Sequence, residues 1–259
     1  MSASIIGGLI KQGYKASNVT ASDPNQRSLS QLQQAFGIIT STDNVQACEQ
    51  AKVVVLAVKP QILKLVCEAL KPGLTTKPLI ISIAAGISIN SLSSWLGSEL
   101  PIVRCMPNTP ALVRQGATGL YGNTKVNNEQ KQQAQQLLNA VGTTVWLKEE
   151  GQLDAVTAIS GSAPAYFFLL MEAMIDAGIK QGLSREQAQQ LTLQTAAGAA
   201  TLALDSDVAV DELRRRVTSP GGTTEQAILS FEQAKFKHIV EGAMDACAKR
   251  SQEMATEFS

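Results

Sequence analysis

The chain is poor in the residues that build metal sites and disulfide frameworks. Its 259 residues include one histidine and four cysteines, and no Cys-x-x-Cys pair occurs. We therefore expect buried thiols, no disulfide and no metal. The cysteines are Cys48, Cys67, Cys105 and Cys247. His238 has no nucleophilic or acidic motif beside it, and we interpret it as structural. The hydrolase motifs His-Glu-x-x-His and Gly-x-Ser-x-Gly are absent as well, which favours a reaction whose difficult step belongs to a cofactor.

Excess charge of either sign is also lacking. Lys and Arg number 22 and Asp and Glu number 22, so no basic surface is predicted that would neutralise a nucleic-acid backbone. Apolar stretches such as Val53–Val58 and Leu79–Ala85 are much shorter than the roughly 20 residues that cross a bilayer. The N-terminus has no signal-peptide pattern. We expect no nucleic-acid partner, no membrane partner and a cytoplasmic location.

Up to residue 148, helical periodicity alternates with short, fully apolar runs. Such runs are typical of parallel strands that helices cover on both faces. The predicted strands are Val19–Ser22, Val53–Val58, Leu79–Ile83, Ile102–Cys105, Ala117–Tyr121 and Thr143–Leu147. The predicted helices are Ser2–Gln12, Gln26–Phe36 and Asn128–Ala140. Residues 1–148 are therefore predicted to form an α/β dinucleotide-binding domain with a Rossmann-like parallel sheet.

Residues 149–259 are predicted to form an all-α domain, because no strand pattern interrupts them. The predicted helices are Leu153–Ile159, Ala163–Gln181, Arg185–Leu204, Val210–Arg216, Thr224–Phe231 and Lys235–Glu257. The second and third of these carry more apolar and small side chains than so thin a bundle can bury alone. We therefore predict dimerisation through this domain.

The start of the chain lacks the strand and the Gly-x-Gly-x-x-Gly turn that open a dinucleotide-binding sheet. The chain begins directly in a helix, where Gly7 and Gly8 would allow close packing. We expect that the sequence is shortened at its start. The alternative is a protein that truly lacks the strand. Either way, the usual glycine cradle for a pyrophosphate is missing.

The segment Arg216–Ala227 places a Pro-Gly-Gly turn directly before a helix. Thr223 as N-cap and Gln226 three residues later predict a capping box. The glycines would leave backbone N–H groups open at the positive end of the helix, which suits a carboxylate. The alternative is a plain helix start after a tight turn.

Three further segments place small or polar residues at the ends of predicted elements. Asn108, in Arg104–Pro110, follows a strand on a proline-stiffened loop that either aims it at a ligand or is a surface turn. Ala57–Pro60 ends a buried strand at the same edge, where its backbone would face a cofactor, although Lys59 alone could be only solvated. Ile159–Tyr166 is either part of a site or a capped helix start.

The loop after the strand Val19–Ser22 corresponds to the place where the adenosine ribose is recognised. An acidic residue there suits the free 2′-hydroxyl of NAD, whereas Arg or Ser suits the 2′-phosphate of NADP. Asp23 favours NAD, and Arg27 with Ser22 favours NADP. The two alternatives remain open at this point.

Four segments together resemble the pyrroline-5-carboxylate reductase family. They are Val217–Thr224, Ala57–Pro60, Met106–Pro110 and Ser160–Tyr166, in the family's order and spacing over essentially the whole chain. The resemblance implies reduction of L-1-pyrroline-5-carboxylate to L-proline by NADPH or NADH, the last step of proline synthesis. The family also opens with a strand and a Gly-x-Gly-Asn/Gln-Met/Leu turn, and the present chain starts near that last methionine.

The resemblance further implies residue roles. The substrate carboxylate would be held by the turn that contains Ser219, Gly221, Gly222, Thr223 and Thr224. Thr224 would also hydrogen-bond the ring nitrogen, which makes it the candidate catalytic residue. Cofactor contacts carry over to Asn44, Ala57, Val58, Lys59 and Pro60, and Asn108 would lie beside the nicotinamide. Family members pair as dimers, five of which often form a ring, so a homodimer that could assemble to a decamer is implied.

Two other functions compete. Dehydrogenases of the β-hydroxyacid type share the layout, but they use a lysine early in the first long helix. Ala163–Ile179 contains no lysine, and Lys180 comes only at its far end. The other alternative is a binding or structural relative that lost its cofactor together with the first strand.

Overall fold

The computed structural model describes residues 1–257. The chain divides into two compact units. One contains Met1–Ser162 together with the chain from Ala246 onward, and the other contains Ala163–Asp245.

The first unit alternates strands and helices, as predicted. Within the described residues its strands are β1 (Thr20–Ser22), β2 (Ile39–Ser41), β3 (Val53–Leu56), β4 (Leu79–Ser82), β5 (Ile102–Met106), β6 (Gly116–Gly122) and β7 (Gly142–Trp146). Its helices are α1 (Ser2–Lys11), α2 (Gln26–Phe36), α3 (Asn44–Cys48), α4 (Pro60–Leu70), α5 (Ile89–Leu96), α6 (Asn128–Asn139) and α7 (Gln152–Val156). All the predicted strands and helices of this half are confirmed, and β2, α3, α4 and α5 are additional.

Side-chain caps fix where several of these helices begin. Asn25 accepts hydrogen bonds from the N–H groups of Arg27 and Ser28 before α2, and Asp43 similarly caps α3. Asn127 and Gln130 form a reciprocal capping box at α6. Each cap satisfies N–H groups that a helix start leaves without an intrahelical partner.

The main sheet has the strand order β3-β4-β5-β6-β7. Strands β3, β4 and β5 are parallel, β6 is antiparallel to β5, and β7 is parallel to β6. The predicted parallel sheet is confirmed for β3, β4 and β5, whereas β6 runs antiparallel to its neighbour β5. Residues 107–115 form a short link between β5 and β6, and a parallel pair needs a longer crossover connection. The sheet is nevertheless mainly parallel.

Strands β1 and β2 form a separate parallel pair, in register from Thr20 opposite Ile39 to Ser22 opposite Ser41. In the described residues no strand precedes α1, as the sequence pattern predicted. The first helix instead packs closely on its neighbours through its two glycines. A Cβ at Gly8 would lie 2.5 Å from the carbonyl oxygen of Ala140, and one at Gly7 would lie 3.0 Å from the Phe36 ring.

Apolar side chains cover both faces of the main sheet. On one face, Ile80 and Ile102 pack with Leu63 of α4 and other buried residues. On the other face, Ile81 and Val103 belong to a second buried cluster. Strand β4 is buried at every position, which explains its uninterrupted apolar sequence.

The second unit is helical. It contains α8 (Ala163–Lys180), α9 (Arg185–Leu204), α10 (Val210–Arg216), α11 (Thr223–Gln233) and the first half of α12 (Phe236–Glu257). Helices α8 and α9 pack on each other, and Ser184 with Gln187 forms the capping box of α9. Large apolar side chains remain exposed on both helices: Phe167, Phe168, Leu169, Leu191, Leu193 and Leu202.

One helical run of the described chain, Gln152–Lys180, is long and apolar enough to cross a membrane by length and composition, and only 11% of its apolar window is buried. The expectation that every segment is too short was therefore too strong. It rested on uninterrupted apolar stretches, whereas a run that contains charged residues such as Glu172 and Asp176 can still be apolar on average. The same criterion is met by helices of soluble proteins.

Candidate active site

The Pro-Gly-Gly turn enters α11 with a glycine at the N-cap. Gly222 has an extended backbone, with φ −83° and ψ 168°, and its carbonyl oxygen accepts from the N–H of Gln226 at 3.3 Å. The helix therefore begins at Thr223. The predicted capping box of Thr223 and Gln226 was wrong, because Thr223 is the first helical residue and Gly222 has no side chain to serve as a cap.

The turn leaves three backbone N–H groups open at the positive end of α11. In residues 1–257 no acceptor is found for the N–H groups of Thr223, Thr224 or Glu225. The two preceding N–H groups are bonded: that of Gly222 to the carbonyl of Ser219 at 3.0 Å, and that of Gly221 to Oε2 of Glu225 at 2.8 Å. We define Ser219–Thr224 and the N–H of Glu225 as the carboxylate seat, since clustered N–H groups at a helix start attract anions.

The residues predicted to contact the adenosine ribose lie where β1 and β2 end. Their parallel register places Ser22 opposite Ser41, and Asn44 begins α3 directly after β2. The Asp23 carboxylate accepts from the N–H of Asn25 at 2.7 Å. The Arg27 side chain is exposed, and no acceptor for its guanidinium is found in the described residues. A guanidinium without a partner suits a phosphate group. The Ser22 hydroxyl donates to the backbone carbonyl of Ser41 at 3.1 Å.

The segment Ala57–Pro60 joins β3 to α4. Lys59 is the N-cap of α4 with no side-chain hydrogen bond, and Pro60 is the first helical residue. Ala57 and Lys59 are exposed. Because β3, β4 and β5 are parallel, this segment lies at the same sheet edge as the loop that follows β5. In open α/β sheets that edge is where ligands bind.

Asn108, in the loop after β5, is buried, and its side-chain amide is hydrogen-bonded at both ends. Its nitrogen donates to the carbonyl of Ser160 at 3.0 Å, and its oxygen accepts from the N–H of Ala117 at 2.9 Å. Ser160 belongs to a π-helical turn, Thr157–Gly161, whose first three residues lie in the predicted helix Leu153–Ile159. A Cβ at Gly161 would lie 2.5 Å from the terminal methyl group of Met106, so the flexible end of that side chain would have to move.

An ion pair that the sequence analysis missed lies near this edge. Arg104 on β5 is paired with Glu150, and both side chains are largely buried, with 12% and 28% exposure. The Glu150 carboxylate also accepts from the N–H of Ile89, the first residue of α5, at 2.7 Å. The Glu150 carboxylate thus connects the segment before α7 with β5 and with the start of α5. No local motif marks it, because its partners are 46 and 61 residues away in sequence.

Three of the four thiols are buried as predicted, and the histidine is not the structural residue that was predicted. Cys48, Cys67 and Cys105 are buried, and burial raises the pKa of all three thiols. Cys247 is half-buried. The His238 side chain is 80% exposed and lies 3.6 Å from Glu241, so it is a surface residue rather than a structural one. In the described residues no group of His, Cys, Asp and Glu side chains could hold a metal ion.

The sequence matches two family models. Residues 150–254 match the model described as pyrroline-5-carboxylate reductase dimerisation, and residues 1–86 match NADP oxidoreductase coenzyme F420-dependent. The chain is 57% identical to a pyrroline-5-carboxylate reductase of Pseudomonas aeruginosa, over 100% of this chain and 94% of that protein. It is 45% identical to one of Haemophilus influenzae, over 100% of this chain and 95% of that protein.

Solved structures give the same match. A pyrroline-5-carboxylate reductase of Coxiella burnetii superimposes with a TM-score of 0.95 at 43% identity, over 98% of this chain and 94% of that one. The Plasmodium falciparum pyrroline carboxylate reductase, solved with NADP bound, superimposes with a TM-score of 0.86 at 35% identity, over 98% of this chain and 94% of that one.

Proposed function

The chain belongs to the pyrroline-5-carboxylate reductase family, so its reaction is the NAD(P)H-dependent reduction of L-1-pyrroline-5-carboxylate to L-proline, and we propose which residues carry it out. The reaction completes proline biosynthesis. The observation that carries the assignment of residues is the carboxylate seat, in which three backbone N–H groups at the start of α11 have no acceptor in the described residues.

In this proposal the substrate carboxylate binds the seat. The N–H groups of Thr223 and Thr224 and the hydroxyl of Ser219 donate to it, while Gly221 and Gly222 keep the approach free of side chains. A carboxylate bound to several N–H groups and a helix dipole is held strongly and in one orientation. The five-membered ring is thereby placed over the first turn of α11.

Thr224 is the proposed catalytic residue. Its hydroxyl belongs to the same residue as one of the N–H groups that would hold the carboxylate. The hydroxyl would therefore hydrogen-bond the ring nitrogen and supply or relay its proton. A protonated imine accepts hydride readily, so the absence of a histidine or acidic side chain from the proposed substrate contacts is no obstacle. Most of the acceleration would come from holding the ring in one orientation.

The proposed cofactor contacts lie at two places. One is where β1 and β2 end, and the other is the edge of the main sheet where β3 and β5 end. We propose contacts through Ser22, Asp23, Arg27, Asn44, Ala57, Val58, Lys59, Pro60 and Asn108. The Arg27 guanidinium has no acceptor in the described residues and fits a 2′-phosphate, which supports NADP over NAD. When bound, the cofactor supplies the hydride. The Asn108 side chain is committed to Ser160 and Ala117, so its proposed contact uses the backbone or the second amide hydrogen.

Self-association is expected of a chain that contains the family's dimerisation region, residues 150–254. This region includes the apolar run Gln152–Lys180, and we propose that a second copy of the chain, not a bilayer, covers its exposed face. We further propose that the homodimer assembles to a decamer, that the enzyme is cytoplasmic, and that residues 1–148 bind the cofactor while residues 149–259 bind substrate and dimerise.

The proposed function is tested by following the oxidation of NADPH, and separately of NADH, when pyrroline-5-carboxylate is added. We expect L-proline as the product and a lower KM for NADPH than for NADH. The same assay should be run on a chimera that carries the N-terminal segment of the Pseudomonas relative, of which this chain covers 94%. Inactivity of both proteins would contradict the assignment.

A further inference from the structure

Glu225 reaches back from the first turn of α11 to the turn that precedes the helix. It is the third residue of α11, and its Oε2 accepts from the backbone N–H of Gly221 at 2.8 Å. Glu225 is half-buried, whereas the neighbouring Gln226 is exposed and has no side-chain hydrogen bond among the described residues. The contact therefore ties the helix to the Pro-Gly-Gly turn.

This hydrogen bond matters because few other contacts fix the conformation of the turn. Gly221 has a left-handed backbone, with φ +70°, and no atom lies within 4 Å of where its Cβ would be. Glycine has the largest conformational freedom of any residue, so a turn built on it loses order easily. In the described residues, the Gly222 to Ser219 backbone hydrogen bond and the Glu225 contact are the two bonds made by the N–H groups of the two glycines.

In the described residues the start of α11, like that of α4, lacks the side-chain cap that precedes α2, α5, α6 and α9. Asn25, Ser88, Asn127 and Ser184 each place a side-chain oxygen on the N–H groups of the helix that follows. Such a side chain before α11 would occupy the N–H groups that the substrate needs. A glutamate at the third helical position instead accepts from the N–H of Gly221 in the turn. It leaves the first N–H groups of α11 without an acceptor in the described residues.

We propose that Glu225 is the positioning residue of the carboxylate seat. By accepting from the Gly221 N–H, it holds the turn in the conformation that receives the substrate carboxylate. Substrate binding then does not have to order the turn, and the entropic cost of binding is lower. This inference rests on the proposed function. It assigns the Glu225 side chain no contact with the substrate or the cofactor. What matters is the hydrogen-bond acceptor, not the negative charge.

Three variants separate the acceptor from the charge. Glu225→Gln keeps an oxygen that can accept from Gly221 and removes the charge, Glu225→Ala removes both, and Gln226→Ala is the matched control one position along. We expect Glu225→Ala to raise the KM for pyrroline-5-carboxylate about three- to tenfold, the usual effect of one lost hydrogen bond. Its kcat and its KM for NADPH should stay at the wild-type values. Glu225→Gln and Gln226→Ala should retain the wild-type KM.

A second readout does not depend on turnover. L-Proline carries the same carboxylate, and its Kd can be measured by calorimetry on the same four proteins. We expect a weaker Kd only in Glu225→Ala. A wild-type Kd and KM in that variant would overturn the role of Glu225 and leave the reductase function standing. Equal losses in Glu225→Gln and Glu225→Ala would make the charge responsible and overturn it too. A wild-type protein that neither reduces pyrroline-5-carboxylate nor binds L-proline would overturn both.

Discussion

The side-chain nitrogen of Asn108 donates to the backbone carbonyl of Ser160 at 3.0 Å, across 52 residues of sequence. The bond joins the loop after β5 to the π-helical turn Thr157–Gly161. In a π-turn the backbone departs from the regular α-helical pattern, and such turns are frequent at functional sites. Two of the four segments that resemble the reductase family, Met106–Pro110 and Ser160–Tyr166, are thus held together by one amide.

Replacing Asn108 with leucine should destabilise the protein by about 1–3 kcal/mol. The leucine has a similar size, but it leaves the carbonyl of Ser160 and the N–H of Ala117 without partners in a buried position. Equilibrium unfolding in urea measures the loss. Asn128→Leu makes the same chemical change at an exposed position and should stay within about 0.5 kcal/mol of wild type. Equal stability of the two variants would show that the Asn108 bonds contribute nothing.

The alternation of apolar runs and helical periodicity was enough to predict the strands and the flanking helices. It could not predict the direction of β6, because a strand has the same side-chain period in either direction. The direction follows from the short link 107–115. Helices α3, α4 and α5 were missed as well, although Asp43, Pro60 and Ser88 are ordinary helix-start residues that carried the signal.

The local motifs of the candidate site were visible in the sequence, but their partners were not. The Pro-Gly-Gly turn marked the proposed carboxylate seat, whereas the cap was assigned to Thr223 because side-chain oxygens are the usual N-caps. The glycine cap and the Glu225 contact became apparent only from the backbone conformation. Contacts such as Asn108 with Ser160 and Arg104 with Glu150 join residues far apart in sequence, and no local periodicity encodes them.

Glu150→Gln should destabilise the protein by about 1–2 kcal/mol. Arg104 is only 12% exposed and would lose its charged partner, while the Ile89 N–H would keep at best a weaker acceptor. Glu149→Gln is the control, since the neighbouring carboxylate is exposed and makes no ion pair in the described residues. The midpoint of urea unfolding should fall in the first variant and stay unchanged in the second. The same midpoint in both would contradict a stabilising role for the pair.

The buried thiols should resist alkylation in the folded enzyme. Burial, together with the nearby Glu68 carboxylate, raises the pKa of Cys67 from 9.0 to about 12, and burial likewise raises that of Cys105. Both are therefore neutral at pH 8, and only thiolates react quickly. Iodoacetamide at pH 8 followed by peptide mass spectrometry should find both unmodified in buffer and modified in urea. Rapid labelling in buffer would contradict their burial.

The same shift predicts a pH dependence of stability. The folded state holds the Cys67 proton more tightly than the unfolded state, so its contribution is complete below about pH 9 and is lost as the pH rises from about 9 towards 12. Unfolding free energies between pH 7 and pH 11 should decline over the upper part of this range. A Cys67→Val variant should decline less steeply, and identical slopes would remove Cys67 as a cause.

Thr224→Ala should lower kcat about 10- to 100-fold while changing the KM for NADPH little. The backbone N–H of residue 224 survives the substitution, so the carboxylate seat is kept and only the hydroxyl proposed for the ring nitrogen is lost. Thr224→Ser restores a hydroxyl and should recover most of the turnover. Steady-state kinetics with both substrates varied separate these parameters. An unchanged kcat in Thr224→Ala would remove Thr224 from the chemistry.

Gly222→Val should raise the KM for pyrroline-5-carboxylate at least about tenfold. Its φ of −83° suits any residue, so the effect would not come from backbone strain. A Cβ there would lie 3.0 Å from the carbonyl oxygen of Ser219, which accepts the hydrogen bond that closes the turn. The branched side chain would also crowd the open N–H groups of Thr223 and Thr224.

The matched control for this change is Gly151→Val, where nothing lies within 4 Å of the added Cβ and φ is −60°. It should keep the wild-type KM for both substrates. The KM for NADPH should also stay unchanged in Gly222→Val, because the substitution lies outside every residue proposed for the cofactor. Normal affinity of Gly222→Val for pyrroline-5-carboxylate would refute the carboxylate seat, since no bound carboxylate could share that space with a valine side chain.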